Sequence, residues 1–71
     1  MARVGENIRS KRKEMGLSGR KFAEKAHISP SFLSDIELGK TEPSMDTLRK
    51  IAFALDCPVA ELLAENTENR V

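Results

Sequence analysis

Residues 21–40, KFAEKAHISPSFLSDIELGK, read as two short helices meeting at a sharp turn. Phe22, Ala23 and Ala26 form one apolar set and Leu33 and Ile36 a second, with Ile28 in the link, which is helical spacing on both sides of a break. Ser29 and Pro30 mark the restart. Serine accepts a hydrogen bond from the unpaired amides of a first turn, and proline at the first helical position has no amide to leave unpaired. Gly39, just after Leu38, takes the left-handed conformation that ends a helix. Helix, four-residue turn and helix thus fit into about twenty residues.

Extended outward, the run 17–63 resembles the helix-turn-helix domain of the Cro and phage-repressor type, also called the xenobiotic response element family, and the resemblance covers roughly residues 4–64. It is carried by a small residue inside the first helix of the motif (Ala23), an apolar residue entering the second (Ile28), two more that lock the second helix down (Leu33, Ile36), and a Glu-x-Gly-Lys close (Glu37, Gly39, Lys40). Each element alone is unspecific; the combination is not. It implies an all-α, compact five-helix, lambda-repressor-like DNA-binding domain, with the helix-turn-helix formed by helices 2 and 3.

The size agrees. Seventy-one residues make one domain, taken here as 1–64, followed by a polar and disordered tail over 65–71. So small a core is marginal unless helix packing is efficient or a partner adds surface. With three phenylalanines as the only aromatics, the core must be built from Leu, Ile, Val, Met and Ala. A lone Cys57 cannot form an internal disulfide, and with a lone His27 there is no metal-ligand set. No cofactor is implied, and no signal peptide or apolar run of membrane length is present, so a cytoplasmic protein is expected.

Net charge is only +1, but it is unevenly placed. Residues 1–27 hold eight Lys or Arg against three Glu, +5, and residues 28–71 hold four against eight Asp or Glu, −4. A basic half attracts phosphate even when the whole is near neutral, although such a split also arises from ordinary solvated helix faces.

A first helix over 5–14 places Val4, Ile8 and Met15 on an apolar stripe, with Arg9, Lys11 and Lys13 around the other face. Arg12, four after Ile8, shares the buried face, where a charge is costly unless paired; the resemblance implies a structural ion pair with Glu37. Gly16 ends this helix, Leu17 enters the core and Ser18 caps the second. Gly19 departs from the family pattern, which has glutamine there, and His27 from the glycine of its turn. Histidine tolerates a positive backbone angle better than most residues, so His27 reads as a turn residue rather than a catalyst or ligand.

In the third helix, with Leu33 and Ile36 inward, Ser29, Pro30, Ser31, Ser34 and Asp35 remain outside. The resemblance places Pro30, Ser31 and Asp35 at base-reading positions and Ser18, Gly19, Ser29, Ser34, Lys40 and Thr41 at DNA-backbone positions. No Arg, Lys, Asn or Gln is available on this helix for a bidentate base contact, so specificity is modest per contact or rests on DNA shape. Phe32 has spacing for packing on Ile36 and a location suited to a thymine methyl. A fourth helix, capped by Ser44, carries Met45, Leu48, Ile51, Ala52 and Leu55 at core spacing. Asp56 replaces the usual glycine after it, Cys57 is a small core residue, and Pro58 starts a fifth helix with Val59, Leu62 and Leu63 on its apolar side. Small members of the family pair through this last helix and the loop before it, implying a homodimer through Pro58, Val59 and Leu62.

Two functions remain open. One is a sequence-specific double-stranded DNA-binding transcriptional regulator, a repressor that docks its third helix in the major groove of a palindromic operator. The other is a protein-interaction module, an adaptor or antitoxin built on the same fold, which Asp35, Gly19 and the short reader side chains favour. An enzyme is not expected: no glycine-rich phosphate loop or motif-bearing carboxylate pair accompanies His27 and Cys57.

Overall fold

The computed structural model describes residues 4–64 and contains five helices: α1 (Val4–Glu14), α2 (Gly19–Ala26), α3 (Pro30–Leu38), α4 (Met45–Leu55) and α5 (Val59–Leu63). No strand occurs among the described residues, and none of their helices is long and apolar enough to cross a membrane. The expected tail over 65–71 lies outside the described residues.

Three helices begin alike. Ser18, Ser29 and Ser44 each turn an extended backbone into a helix, their hydroxyl oxygens accepting from the amides of Lys21, Phe32 and Thr47 at 3.1, 3.0 and 3.2 Å. Such a cap contributes about 1 kcal/mol. Pro30 follows its cap as the sequence requires.

The same three helices also end alike. His27 (φ 62°), Gly39 (φ 81°) and Asp56 (φ 59°) are left-handed, and the amide beyond each reaches back five residues, Ile28 to Ala23, Lys40 to Asp35 and Cys57 to Ala52, at 2.8–3.0 Å. The chain therefore reverses sharply three times, which is what brings α2 against α3 and α5 against α4.

Ile8, Phe22, Leu33, Ile36, Ile51 and Leu62 are fully buried where the helices converge, with Ala23, Ala26, Leu48, Ala52, Ala54 and Leu55 between them. Burying each large side chain stabilises by roughly 1.5–3 kcal/mol. Leu17, Ile28, Phe32, Cys57 and Val59 pack at the edge, so Phe32 follows its packing alternative. Three positions differ from the sequence reading. Met15 lies in the turn after α1 and Met45 begins α4, and both side chains point to solvent, 38% and 48% exposed; Leu63 is 39% exposed. Helical spacing overstates a stripe at its ends, where no neighbouring helix covers it.

α5 has five residues and no side-chain cap, too few for a stable turn by itself. It is held from α1: Asn7 Nδ2 donates to the carbonyls of Leu62 (2.8 Å) and Ala64 (2.9 Å), and Lys11 Nζ meets Glu61 Oε1 at 2.8 Å. The hydrogen bond to Glu61 raises the Lys11 ammonium above its ordinary value. Lys11 thus faces α5, which narrows the basic face of α1 to Arg9 and Lys13.

Candidate nucleic-acid interface

The proposed reader begins where Ser29 caps α3. Ser29, Pro30, Ser31 and Ser34 are exposed and Asp35 half-buried, while Leu33 and Ile36, 1% exposed each, anchor the opposite side. Leu38, four residues after Ser34, continues the outer face and is 60% exposed. The sequence reading missed it, although its spacing from Ser31 and Ser34 was the available signal.

The orientation of α3 is set by Arg12. Its Nε donates to Glu37 Oε2 at 2.8 Å and its Nη2 to Glu37 Oε1 at 3.0 Å, while Nη1 donates to the Leu17 carbonyl at 2.9 Å. One guanidinium thereby joins α1, the α1–α2 loop and the last turn of α3. Both side chains are nearly covered, and the hydrogen bonding with Glu37 raises the Arg12 value further. A two-pronged, shielded pair of this kind fixes direction as well as distance.

Gly5 makes the same junction close. A Cβ placed there would lie inside contact distance of the Ile36 carbonyl oxygen and 3.0 Å from that of Glu37, so the start of α1 rests directly on the backbone of α3.

At the start of α2, Ser18 uses its oxygen as a cap, leaving its hydroxyl hydrogen to donate elsewhere. Gly19 is not demanded by packing: a Cβ would meet only Leu33 Cδ2, at 4.0 Å. The first turn contains no acidic residue and instead carries exposed Arg20 and Lys21, against the helix dipole. An anion arriving there would meet free amides together with positive side chains.

Beyond α3, Lys40 is exposed and Thr41 half-buried. The Lys40 amide is engaged with the Asp35 carbonyl at 2.8 Å, so the ammonium, not the amide, is what this residue can offer a phosphate. His27 occupies the left-handed turn position, and no group of three or more His, Cys, Asp or Glu able to hold a metal occurs among the described residues.

One expected partner contact is corrected. Leu62 is 0% exposed, enclosed between α1 and α4, and has no surface for a second subunit; Pro58 is exposed and Val59 half-buried, so both remain accessible.

The profile of the helix-turn-helix family matches residues 8–62, spanning α1 to α5. The chain belongs to that family. It is similar to the immunity repressor protein of Bacillus phage phi105, 42% identical over 64 residues that cover 90% of this chain and 44% of that protein. It is likewise 42% identical over 66 residues to the transcriptional regulator SinR of Bacillus subtilis, covering 92% of this chain and 60% of SinR. The chain thus spans about half the length of these relatives. Among solved helix-turn-helix structures, the clp gene regulator ClgR from Corynebacterium glutamicum superposes with a TM-score of 0.83 at 33% identity, over 97% of this chain and 90% of that one. The P22 c2 repressor, determined in complex with a synthetic operator, superposes with a TM-score of 0.82 at 28% identity, over 89% and 96%.

Proposed function

We propose that this chain is the DNA-binding part of a cytoplasmic transcriptional repressor, which docks α3 in the major groove of a palindromic double-stranded operator as a homodimer. The observation that carries the reading is the exposed N-terminal turn of α3, held at a set angle by the Arg12–Glu37 pair and flanked by the cation-bearing start of α2. The family membership and the P22 repressor–operator complex support it. An α-helix fits the major groove with its N-terminal residues toward the base edges.

In this reading Pro30, Ser31 and Asp35 face bases, while Ser18, Gly19, Ser29, Ser34, Lys40 and Thr41 grip the backbone. The backbone set fixes register and the base set selects sequence. Two copies, paired through Pro58 and Val59 at the start of α5, set their readers about one DNA turn, ~34 Å, apart. The reaction is occupancy; no catalytic step is involved.

A second reading, a protein-interaction module, is favoured by the exposed Leu38 on a reader face without long polar side chains. Selection from random duplex DNA at two salt concentrations separates the two. Recovery of a palindrome, with affinity falling steeply as salt rises, supports operator binding. A folded protein that retains no duplex supports the interaction module.

A further inference from the structure

The start of α1, the last turn of α3 and the loop 39–43 border an open groove of about 530 Å³, which Leu48 of α4 and Leu63 of α5 also line. The buried Ile36 and Leu48 and the half-buried Val4 and Pro43 give it apolar walls. Leu38 and Leu63 are two of the five large apolar side chains that reach solvent among the described residues, and both line this one groove. A single exposed leucine needs no explanation, but two beside one concavity mark a surface for a partner.

The charges of the lining specify the chemistry of that partner. Glu6, Glu37 and Glu42 line the groove, and no Lys, Arg or His does. Arg12 already neutralises Glu37. Glu42 is exposed and makes no ion pair or side-chain hydrogen bond among the described residues, so its carboxylate remains to attract a cation. Phosphate is repelled here, in contrast to the start of α2 with its Arg20 and Lys21. Of the residues assigned to DNA, Thr41 alone also lines the groove, which therefore borders the DNA surface without being part of it. What fits such a lining is apolar and cationic together.

We infer that this groove docks a segment of another protein that carries Lys or Arg within one helical turn of its apolar side chains. The apolar residues enter beside Leu38 and Leu63, and the cation meets Glu42. This is recognition of an amphipathic segment by an apolar groove, with opposite charges steering the encounter and fixing the register. Because the groove borders the DNA surface at Thr41, partner and duplex are held side by side, and an occupied operator is joined to a second protein. That consequence rests on the operator-binding reading; the docking of the segment does not.

The test is selection from a random-peptide display library against the full chain, followed by anisotropy titration of the enriched peptides. The expected pool contains a class that sets Lys or Arg beside apolar residues. Peptides of this class bind at least about tenfold more weakly to Leu63→Ser and to Glu42→Lys, although circular dichroism shows both variants folded and both still bind duplex. Glutamate in place of the peptide's cation abolishes binding. A pool without this class, or one whose cationic peptides are indifferent to both substitutions, overturns the inference. Competition between such a peptide and duplex for the chain overturns it too, since the groove would then lie within the DNA surface. Cationic peptides that need Leu63 and Glu42, in a protein that retains no duplex, support the docking groove and overturn the operator reading instead.

Discussion

Arg12 and Glu37 meet through two parallel hydrogen bonds, 2.8 and 3.0 Å long, that fasten α1 to the last turn of α3. With side chains 12% and 9% exposed, the pair is only slightly screened by solvent. Removing one partner strands the other charge, so Glu37→Gln is expected to lower stability by about 3 kcal/mol, a fall of more than about 10 °C in the melt of so small a domain. Replacing both by apolar residues should cost much less, because no unpaired charge remains. A Glu37→Gln melt within two or three degrees of wild type, by rough equivalence about 0.5 kcal/mol, would count against a shielded pair.

Gly5→Ala sets two effects against each other. Helix propensity favours alanine by about 1 kcal/mol, but the new methyl meets the carbonyl oxygens of Ile36 and Glu37, which belong to backbone and cannot rotate aside. Overpacking of this kind costs about 1–3 kcal/mol, and rigid backbone places the cost at the upper end. A net loss of about 1–2 kcal/mol in urea melts is expected; a gain would show that α1 does not rest on α3 as described.

How far such features could be read beforehand varies with their range. The serine caps, Pro30, Gly39 and the buried Leu33 and Ile36 are local patterns, visible in a few residues, and the structure contains them. Gly5 looked like a helix start, because its reason is a carbonyl thirty-one residues away in sequence. Asn7 was equally silent: its role depends on where α5 ends, which no local pattern predicts. Leu62 was misassigned to a dimer surface for a related reason. Helical spacing tells that one side of α5 is apolar, not which neighbour covers it.

His27 and Asp56 occupy left-handed positions that glycine fills without strain. A non-glycine residue there costs roughly 1–2 kcal/mol, less for His and Asp, while glycine gives back part of the gain through the unfolded chain. His27→Gly is therefore expected to stabilise by up to about 1 kcal/mol, and His27→Val, whose branched side chain tolerates the conformation poorly, to destabilise by more. Paired chemical denaturation of the two variants checks the sign; a stabilising valine would contradict the assigned turn.

Stability should fall on the alkaline side. Burial raises the Cys57 thiol above its ordinary 9.0, and the hydrogen bond to Glu61 raises Lys11 above 10.5. In both cases the folded chain binds the proton more tightly than the unfolded one. The contribution is therefore complete below the ordinary values and lost as pH rises through the folded ones. Melting temperatures should decline above about pH 9, and Cys57→Ala should remove the earlier part of that decline. At neutral pH the thiol should react slowly with iodoacetamide; rapid alkylation there would oppose a raised thiol.

Lys40 and Ser31 separate gripping from reading. The Lys40 ammonium is exposed beside α3 and its charge is indifferent to base identity, so Lys40→Ala should weaken every duplex alike and reduce the salt slope by about one. Ser31 sits in the first turn of α3, exposed but too short for a bidentate contact. Ser31→Gln adds the paired donor and acceptor that recognise adenine, and should shift preference toward adenine at one position by about 1–3 kcal/mol, leaving the salt slope unchanged. The two variants, measured across a set of single-base operator changes, should thus move orthogonal quantities. If Ser31→Gln alters affinity uniformly and leaves base preference untouched, α3 does not lie against the base edges, and the exposed Leu38 face becomes the better guide to what this helix binds.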